Sequence, residues 1–147
     1  MKILIIGGTG HLGSFLTPML AADGHDLLVV TSGRKPLPEG VAARPFTLSY
    51  HESVADGSLA ALLQAERPPV VVDILQGETD AVYAACVSAG VAHLVNCGSL
   101  WMWGRPQVVP TPGLPQTECP FEGYRNRLAD LQRAIARVLD EAPASRR

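Results

Sequence analysis

Runs of apolar residues alternate along this chain with stretches in which apolar residues recur every three or four positions. A continuous run is typical of a strand buried on both faces, and the three-to-four spacing is typical of an amphipathic helix. Their alternation predicts a parallel sheet with crossover helices on both faces, in the strand order 3-2-1-4-5. We expect strands at 2–6, 27–31, 44–49, 70–75 and 93–97, a helix that ends near Gly24, and further helices at 58–66, 79–89 and 124–139.

The first and last helices carry the clearest apolar stripes. In the first, the stripe predicted to face the core consists of Leu12, Phe15, Leu16, Met19 and Leu20. Pro18 lies within it and predicts a kink or a tight early turn, because proline removes a backbone hydrogen bond. In the last helix, the stripe consists of Leu128, Leu131, Ile135 and Val138. Between the regular elements, loops are expected at 32–40 and, because it holds five prolines, at 105–120.

A glycine-rich segment joins the first strand to the first helix. It reads Gly7-Gly8-Thr9-Gly10-His11-Leu12-Gly13. Gly7 would allow a tight turn, Gly10 a close approach of a pyrophosphate, and Gly13 close packing of helix and strand, with helix N–H groups facing the anion. We therefore predict a dinucleotide site formed by Gly7, Thr9, Gly10, His11, Leu12 and Gly13, with Leu75 and Gln76 after the fourth strand. The alternative is a glycine-rich turn that binds nothing.

The end of the second strand bears on the choice of cofactor. A carboxylate about 20 residues after the glycines usually accepts from the ribose 2′-hydroxyl of NAD. This chain instead reads Thr31-Ser32-Gly33-Arg34-Lys35. A cation suits a 2′-phosphate, so Ser32, Arg34 and Lys35 favour NADP over NAD. The alternative is that the two cations are solvated loop charges.

Three segments resemble the extended and atypical short-chain dehydrogenase/reductases, and specifically their NAD-dependent epimerase/dehydratase group. They are MKILIIGGTGHLG at the start, the Gly24-His25-Asp26 entry to the second strand, and LVNCGSLWMWG from 94 to 104. The resemblance covers the whole chain but only the first half of the family. It implies a single Rossmann-like, doubly wound three-layer domain over 1–147, truncated after the helix that follows the fifth strand. The C-terminal substrate region of the family is then expected to be absent.

The resemblance also implies catalytic residues. Ser99 matches a serine that hydrogen-bonds the substrate, and Tyr124 matches the tyrosine that transfers a proton during hydride transfer. The family's lysine four residues after this tyrosine, which lowers its pKa, is replaced by Leu128, and Arg127 lies about 100° away around a helix. Without the family, Ser99 is a serine at a strand end and Tyr124 an aromatic residue at a helix start.

Composition excludes several classes of protein. A net charge of −2 gives no field that would attract nucleic acid or an anionic membrane, and no apolar run approaches the ~18 residues of a membrane span. The first strand is too short for the apolar part of a signal peptide, so a cytoplasmic protein is expected. Three cysteines without C-x-x-C spacing indicate reduced thiols, and the scattered histidines predict no metal site. Asp73 interrupts a buried strand and is interpreted as a hydrogen-bonded structural carboxylate.

Two functional hypotheses remain open. The first is an NADP- or NAD-dependent oxidoreductase or epimerase/dehydratase that acts on a hydroxyl or carbonyl of an unidentified small molecule, with a nucleotide sugar as a candidate. The second is a non-catalytic dinucleotide-binding module that acts through a partner, which the loss of the lysine favours. A fifth strand at a sheet edge would also invite pairing with another chain, so a homo-oligomer is a candidate assembly.

Overall fold

A computed structural model describes residues 1–98 and 122–141 of the chain. Its strands form one parallel sheet in the order β3-β2-β1-β4-β5, which confirms the predicted topology. In chain order the elements are β1 (Lys2–Ile6), α1 (Gly13–Ala22), β2 (Asp26–Thr31), β3 (Ala43–Thr47), α2 (Tyr50–Ala55), α3 (Ser58–Glu66), β4 (Val70–Asp73), α4 (Thr79–Ala89), β5 (His93–Asn96) and α5 (Glu122–Glu141). The loop predicted at 105–120 lies outside the described residues.

The chain divides into two compact units. The first consists of Met1–Leu75 and Ala81–Cys97 and holds the whole sheet. The second consists of Gln76–Asp80 and of Gly98–Arg147, whose described part is α5.

Apolar side chains cover both faces of the sheet in the first unit. On one face, β-strand residues such as Leu4 and Leu28 pack with Leu59 and Leu63 of α3 and with Val82 of α4, all nearly fully buried. The smaller cluster on the other face is centred on three buried strand residues, which are Ile3, Ile5 and Leu27. Because consecutive strand residues point to opposite faces, the continuous apolar sequence of β1 supplies both cores.

The predicted orientation of α1 is wrong. Leu12, Phe15 and Met19 were expected to face the core, but 53%, 68% and 65% of their surfaces are exposed. The buried residues of α1 are instead Gly13 and Thr17. Small side chains at these positions let the helix approach the glycine-rich segment closely, and this contact fixes the rotation of α1 more strongly than its larger apolar residues do.

The rest of the predicted α1 stripe is half-buried. Leu16 is partly covered, and Leu20 packs with Ala21 against the smaller core. The helix runs through Pro18 without a break and ends at Ala22.

The predicted bounds of β1, α3 and α4 are confirmed, those of the other predicted elements differ by one or two residues, and one helix is unexpected. β3 ends at Thr47, not at residue 49, because Tyr50 begins the short helix α2. Its six residues, YHESVA, contain too few apolar positions to show a helical period.

The carboxyl ends of all five strands lie at one edge of the sheet, as parallel pairing requires. Ile6 is in register with Val30 of β2 and Asp73 of β4, and Asp73 in turn with Asn96 of β5. In open sheets of this kind, ligands bind beyond the carboxyl ends of the strands where the order reverses, here between β1 and β4.

Candidate functional site

The glycine-rich segment forms a hydrogen-bonded turn between β1 and α1. Gly7 has a φ of +89°, which a residue with a side chain rarely adopts, and its N–H donates to the carbonyl oxygen of Val30 (2.9 Å). The N–H of Gly10 donates to the Gly7 carbonyl (2.9 Å), and the N–H of Ser14 donates to the Gly10 carbonyl (2.9 Å). The turn therefore leads directly into the N-terminus of α1, and the N-terminus of a helix attracts anions.

Gly13 and Gly8 make the closest approaches in this segment. A Cβ atom on Gly13 would lie within 2.6 Å of three backbone atoms, which belong to Gly7 and Gly8. A Cβ on Gly8 would lie 2.7 Å from Cγ1 of Val29 in β2. Helix, turn and sheet thus pack at distances that only glycine allows, and the requirement at Gly8 was not predicted from the sequence.

A cavity of about 220 Å³ opens beside this turn within the first unit. Seven residues predicted for the cofactor site line it, namely Gly7, Thr9, Gly10, Ser32, Arg34, Lys35 and Leu75. Four others also line it, namely Val30, Thr31, Leu48 and Tyr50. Leu48 and Tyr50 were missed, although both follow β3 and so belong to the carboxyl edge of a parallel sheet.

The remaining predicted cofactor residues lie elsewhere. His11 and Leu12 are exposed on the outer side of the turn, and the His11 ring meets Phe15 edge to face. Gly13 is buried behind the turn. Gln76 directly follows Leu75 in the chain and belongs to the second unit.

Among the described residues, those that line the cavity carry positive charge and include no carboxylate. Arg34 and Lys35 are both exposed, and within the described ranges neither forms an ion pair. Glu39 lines a second, more open cavity that shares Thr9 and Lys35 with the first. The cavity beside the turn therefore offers hydroxyl, guanidinium and ammonium donors, which suit an anionic ligand.

Two threonine hydroxyls meet at the edge of this cavity. Oγ1 of Thr9 in the turn lies 2.7 Å from Oγ1 of Thr31 at the end of β2, and both residues are buried. Thr31 Oγ1 also accepts from the N–H of Gly33 (3.2 Å). The bonds fix the start of the loop that carries Arg34.

Asp73 holds three segments together beneath the cavity. It is fully buried, and its carboxylate accepts from the hydroxyl of Tyr50 (2.8 Å), the N–H of Leu75 (2.9 Å) and Nδ2 of Asn96 (3.2 Å). Because a buried carboxylate needs such donors, this agrees with the structural role predicted for Asp73. Burial, together with the negative charge of Asp73, raises the pKa of Cys86 to about 12, so this thiol is protonated at neutral pH.

The second unit ties α5 to the start of α4. The buried carboxylate of Asp130 in α5 accepts from the N–H groups of Thr79 and Asp80 in the first turn of α4. Arg137 forms a two-point ion pair with Asp80, at 2.6 and 3.0 Å. The hydrogen bond from Arg137 is the main cause that lowers the pKa of Asp80.

The residues predicted to be catalytic are largely beyond the described part of the chain. Ser99 lies outside it. Tyr124 lies on α5, four residues before Leu128, and Arg127 is exposed. The roles of Ser99 and Tyr124 remain predictions.

Within residues 1–98 and 122–141, no group of three or more histidine, cysteine, aspartate or glutamate side chains could hold a metal ion. No helix there is both long and apolar enough to cross a membrane.

Comparison with known proteins identifies the family. Residues 3–81, just over half of the chain, match the model of the NAD dependent epimerase/dehydratase family. The match includes β1 from Ile3 onward, the glycine-rich turn and all the cavity-lining residues that the structure describes. The chain belongs to this family.

Individual relatives agree with this assignment. The chain is 29% identical over 113 residues to the 2′-dehydrokanamycin reductase of Streptomyces kanamyceticus, a match covering 75% of this chain and 31% of that protein. It is 26% identical to the Bordetella bronchiseptica enzyme WbmG, solved with NAD and UDP, with a TM-score of 0.76 over 92% of this chain and 49% of that one. UDP-glucose-4-epimerase of Stenotrophomonas maltophila, 21% identical, shares the fold with a TM-score of 0.74 over 97% of this chain and 50% of its own. The chain thus spans about half the length of these structures and under a third of the reductase.

Proposed function

We propose that the cavity beside the glycine-rich turn binds a dinucleotide cofactor. The turn offers backbone N–H groups and a surface without Cβ atoms at Gly7 and Gly10, which suits a pyrophosphate. Leu48, Tyr50 and Leu75 add an apolar wall suited to the adenosine half. When bound, the nicotinamide of such a cofactor donates or accepts a hydride.

NADP is the proposed cofactor of choice. The observation that supports this preference is the lining of the cavity, in which the residues that the structure describes include Arg34 and Lys35 and no carboxylate. NAD would find no charged acceptor for its ribose 2′-hydroxyl, whereas the 2′-phosphate of NADP would gain charge-assisted hydrogen bonds. One such bond contributes roughly 1.5–3 kcal/mol, or about ten- to a hundredfold in affinity.

Calorimetric titration of the chain with NADP and with NAD tests this preference. We expect NADP to bind at least about tenfold more tightly, and Arg34→Ala combined with Lys35→Ala to abolish the difference. Equal affinities in the unaltered chain, or a preference that survives the double substitution, would refute the assignment. Absence of binding at millimolar concentration of either would refute the cofactor site altogether.

The proposed reaction class is that of an oxidoreductase or epimerase/dehydratase acting on a hydroxyl or carbonyl. Family membership supports this class, and the UDP bound to WbmG supports a nucleotide sugar as the candidate substrate. In this proposal Ser99 hydrogen-bonds the substrate oxygen and Tyr124 transfers the proton to or from it. The carbon skeleton of the substrate is left open.

A dinucleotide-binding module without turnover is the second candidate. The observation that favours it is Leu128, which carries no charge at the position where a lysine would lower the pKa of Tyr124. In this case NADPH binds, but carbonyl substrates do not accelerate its oxidation. Steady NADPH oxidation that is lost in Tyr124→Phe would decide for the enzyme instead.

Self-association is proposed through the sheet edge. Among the described strands β5 lies at the end of the order, and Val95 on it is 44% exposed. An uncovered edge strand can pair with a second copy of the chain. Light scattering that gives only a monomer mass across the micromolar range would argue against this.

A further inference from the structure

The hydroxyl pair of Thr9 and Thr31 joins the two segments that border the cavity. Thr9 belongs to the glycine-rich turn and Thr31 to the end of β2, 22 residues later, and only 8% and 7% of their surfaces are exposed. Both line the cavity together with Arg34 and Lys35. The pair is thus a buried polar feature in direct contact with the space proposed for the cofactor.

The hydroxyl pair keeps one proton that is available to a ligand. Each hydroxyl carries one proton, and the 2.7 Å bond between them uses one of the two. The N–H of Gly33 occupies an acceptor position on Thr31, so it consumes neither proton. Whichever threonine donates to the other, one proton remains without an acceptor in the contacts of the described residues. The pair always retains a hydrogen-bond donor.

That donor discriminates between the two ligand chemistries. Toward a phosphate it forms a charge-assisted bond, roughly twice as strong as the neutral bond it could form with a ribose hydroxyl. The residue at the end of β2 is the one that meets the ribose 2′ position in this architecture. Thr31 therefore lacks the carboxylate that would accept from a 2′-hydroxyl and, with Thr9, also supplies a donor for a 2′-phosphate.

We propose that the Thr9–Thr31 hydroxyl pair is a specificity-determining element that donates a hydrogen bond to the 2′-phosphate of NADP. The bond between the two hydroxyls and the bond from the N–H of Gly33 to Thr31 also fix the start of the loop that leads to Arg34. The inference rests on the proposed NADP preference and adds two residues to it.

The test compares affinities for NADP and NAD, measured by calorimetry, in variants that keep the shape of the pair. Thr9→Val combined with Thr31→Val removes the donor, and we expect NADP affinity to fall about tenfold or more while NAD affinity changes less than about twofold. Serine at both positions restores the hydroxyls and should restore the preference. Adenosine 2′,5′-bisphosphate and 5′-AMP, used as probes, should show the same pattern, because they differ only at the 2′ position.

Thr17→Val is the matched control. Its hydroxyl is also buried and donates to the carbonyl of Gly8 (2.8 Å), but Thr17 does not line the cavity. This variant should lower the stability of the fold and leave the ratio of NADP to NAD affinity unchanged.

The outcomes distinguish a failure of the role given to the hydroxyl pair from a failure of the proposed NADP preference. If the unaltered chain prefers NADP and the double valine variant keeps that ratio, or loses both cofactors equally, the hydroxyl pair is structural only and the inference is wrong. If the unaltered chain shows no preference for NADP, the proposed function fails and the inference fails with it. Should the double variant not fold, a crystal structure of the unaltered chain with adenosine 2′,5′-bisphosphate gives the test: we expect a hydroxyl of the pair within about 2.5–3.0 Å of the 2′-phosphate, and a 2′-phosphate that contacts neither hydroxyl would refute the inference.

Discussion

Replacing Gly13 by alanine would force the start of α1 away from the glycine-rich turn. The new Cβ would lie within 2.6 Å of the Gly7 carbonyl oxygen and of two backbone atoms of Gly8, whereas ordinary contacts begin at 3.4 Å. The helix would have to move by roughly 1 Å, and overpacking of this kind costs about 1–3 kcal/mol. Three backbone atoms are approached at once, so the cost should lie in the upper part of that range, about 2–3 kcal/mol; alanine recovers at most about 1 kcal/mol of helix propensity, which leaves a net loss of about 1–2 kcal/mol.

Urea unfolding followed by far-ultraviolet circular dichroism measures this loss. With a slope of about 2 kcal/mol per molar, the midpoint for Gly13→Ala should fall by about 0.5–1 M. Dinucleotide affinity should fall as well, because the displaced turn no longer presents its N–H groups in register. Gly24→Ala is the control, since Gly24 has a φ of +77° but nothing within 4 Å of its Cβ position. It should lose stability through backbone strain and keep its affinity. A Gly13→Ala variant with unchanged midpoint and affinity would refute the packing argument.

Three further predictions follow from other contacts. Tyr50→Phe removes one of the donors to buried Asp73 and should lower the free energy of unfolding by about 1–3 kcal/mol, measured by urea titration, and an unchanged value would contradict the role given to that bond. The ion pair with Arg137 lowers the pKa of Asp80. The stabilisation from this ion pair is therefore present at neutral pH and is lost as the pH falls through that lowered pKa. Between pH 5 and about 2, we expect the Asp80→Asn variant to lose less free energy of unfolding than the unaltered chain. Leu128→Lys should raise the rate of NADPH oxidation with carbonyl substrates at least about tenfold over the starting chain, because it places a cation four residues after Tyr124. An unchanged rate would argue for the dinucleotide-binding module without turnover.

The topology of the sheet could be predicted because local and tertiary signals agree. β1, β2 and β4 are continuous apolar runs, and in the structure they occupy the three central positions. The glycine-rich turn was recognisable because it lies between a strand and a helix. Arg34 and Lys35 line the cavity because they follow the end of β2 directly, and their role in binding a cofactor stays a prediction.

The rotation of α1 could not be predicted from apolar spacing. Hydrophobic periodicity assumes that the largest apolar residues face the core, yet Phe15 and Met19 point outward. Here the closest packing is between the backbone of Gly13 and the backbone of Gly7 and Gly8. Contacts between backbone atoms leave no signal in the spacing of apolar residues.

The polar contacts that organise the site depend on residues far apart in the sequence. Thr9 meets Thr31 only because β1 and β2 pair in parallel, and Tyr50 reaches Asp73 across 23 positions. A sequence pattern can show that Asp73 needs partners, but the partners follow from the register of the sheet.

A crystal structure of the chain with NADP would show directly whether the cavity beside the glycine-rich turn is the cofactor site. We expect the pyrophosphate against the glycine-rich turn, and the 2′-phosphate within about 2.7–3.2 Å of nitrogen donors on Arg34 and within about 2.5–3.0 Å of a hydroxyl of the Thr9–Thr31 pair. A cofactor bound outside the cavity, or a 2′-phosphate that makes no contact with these residues, would contradict this assignment.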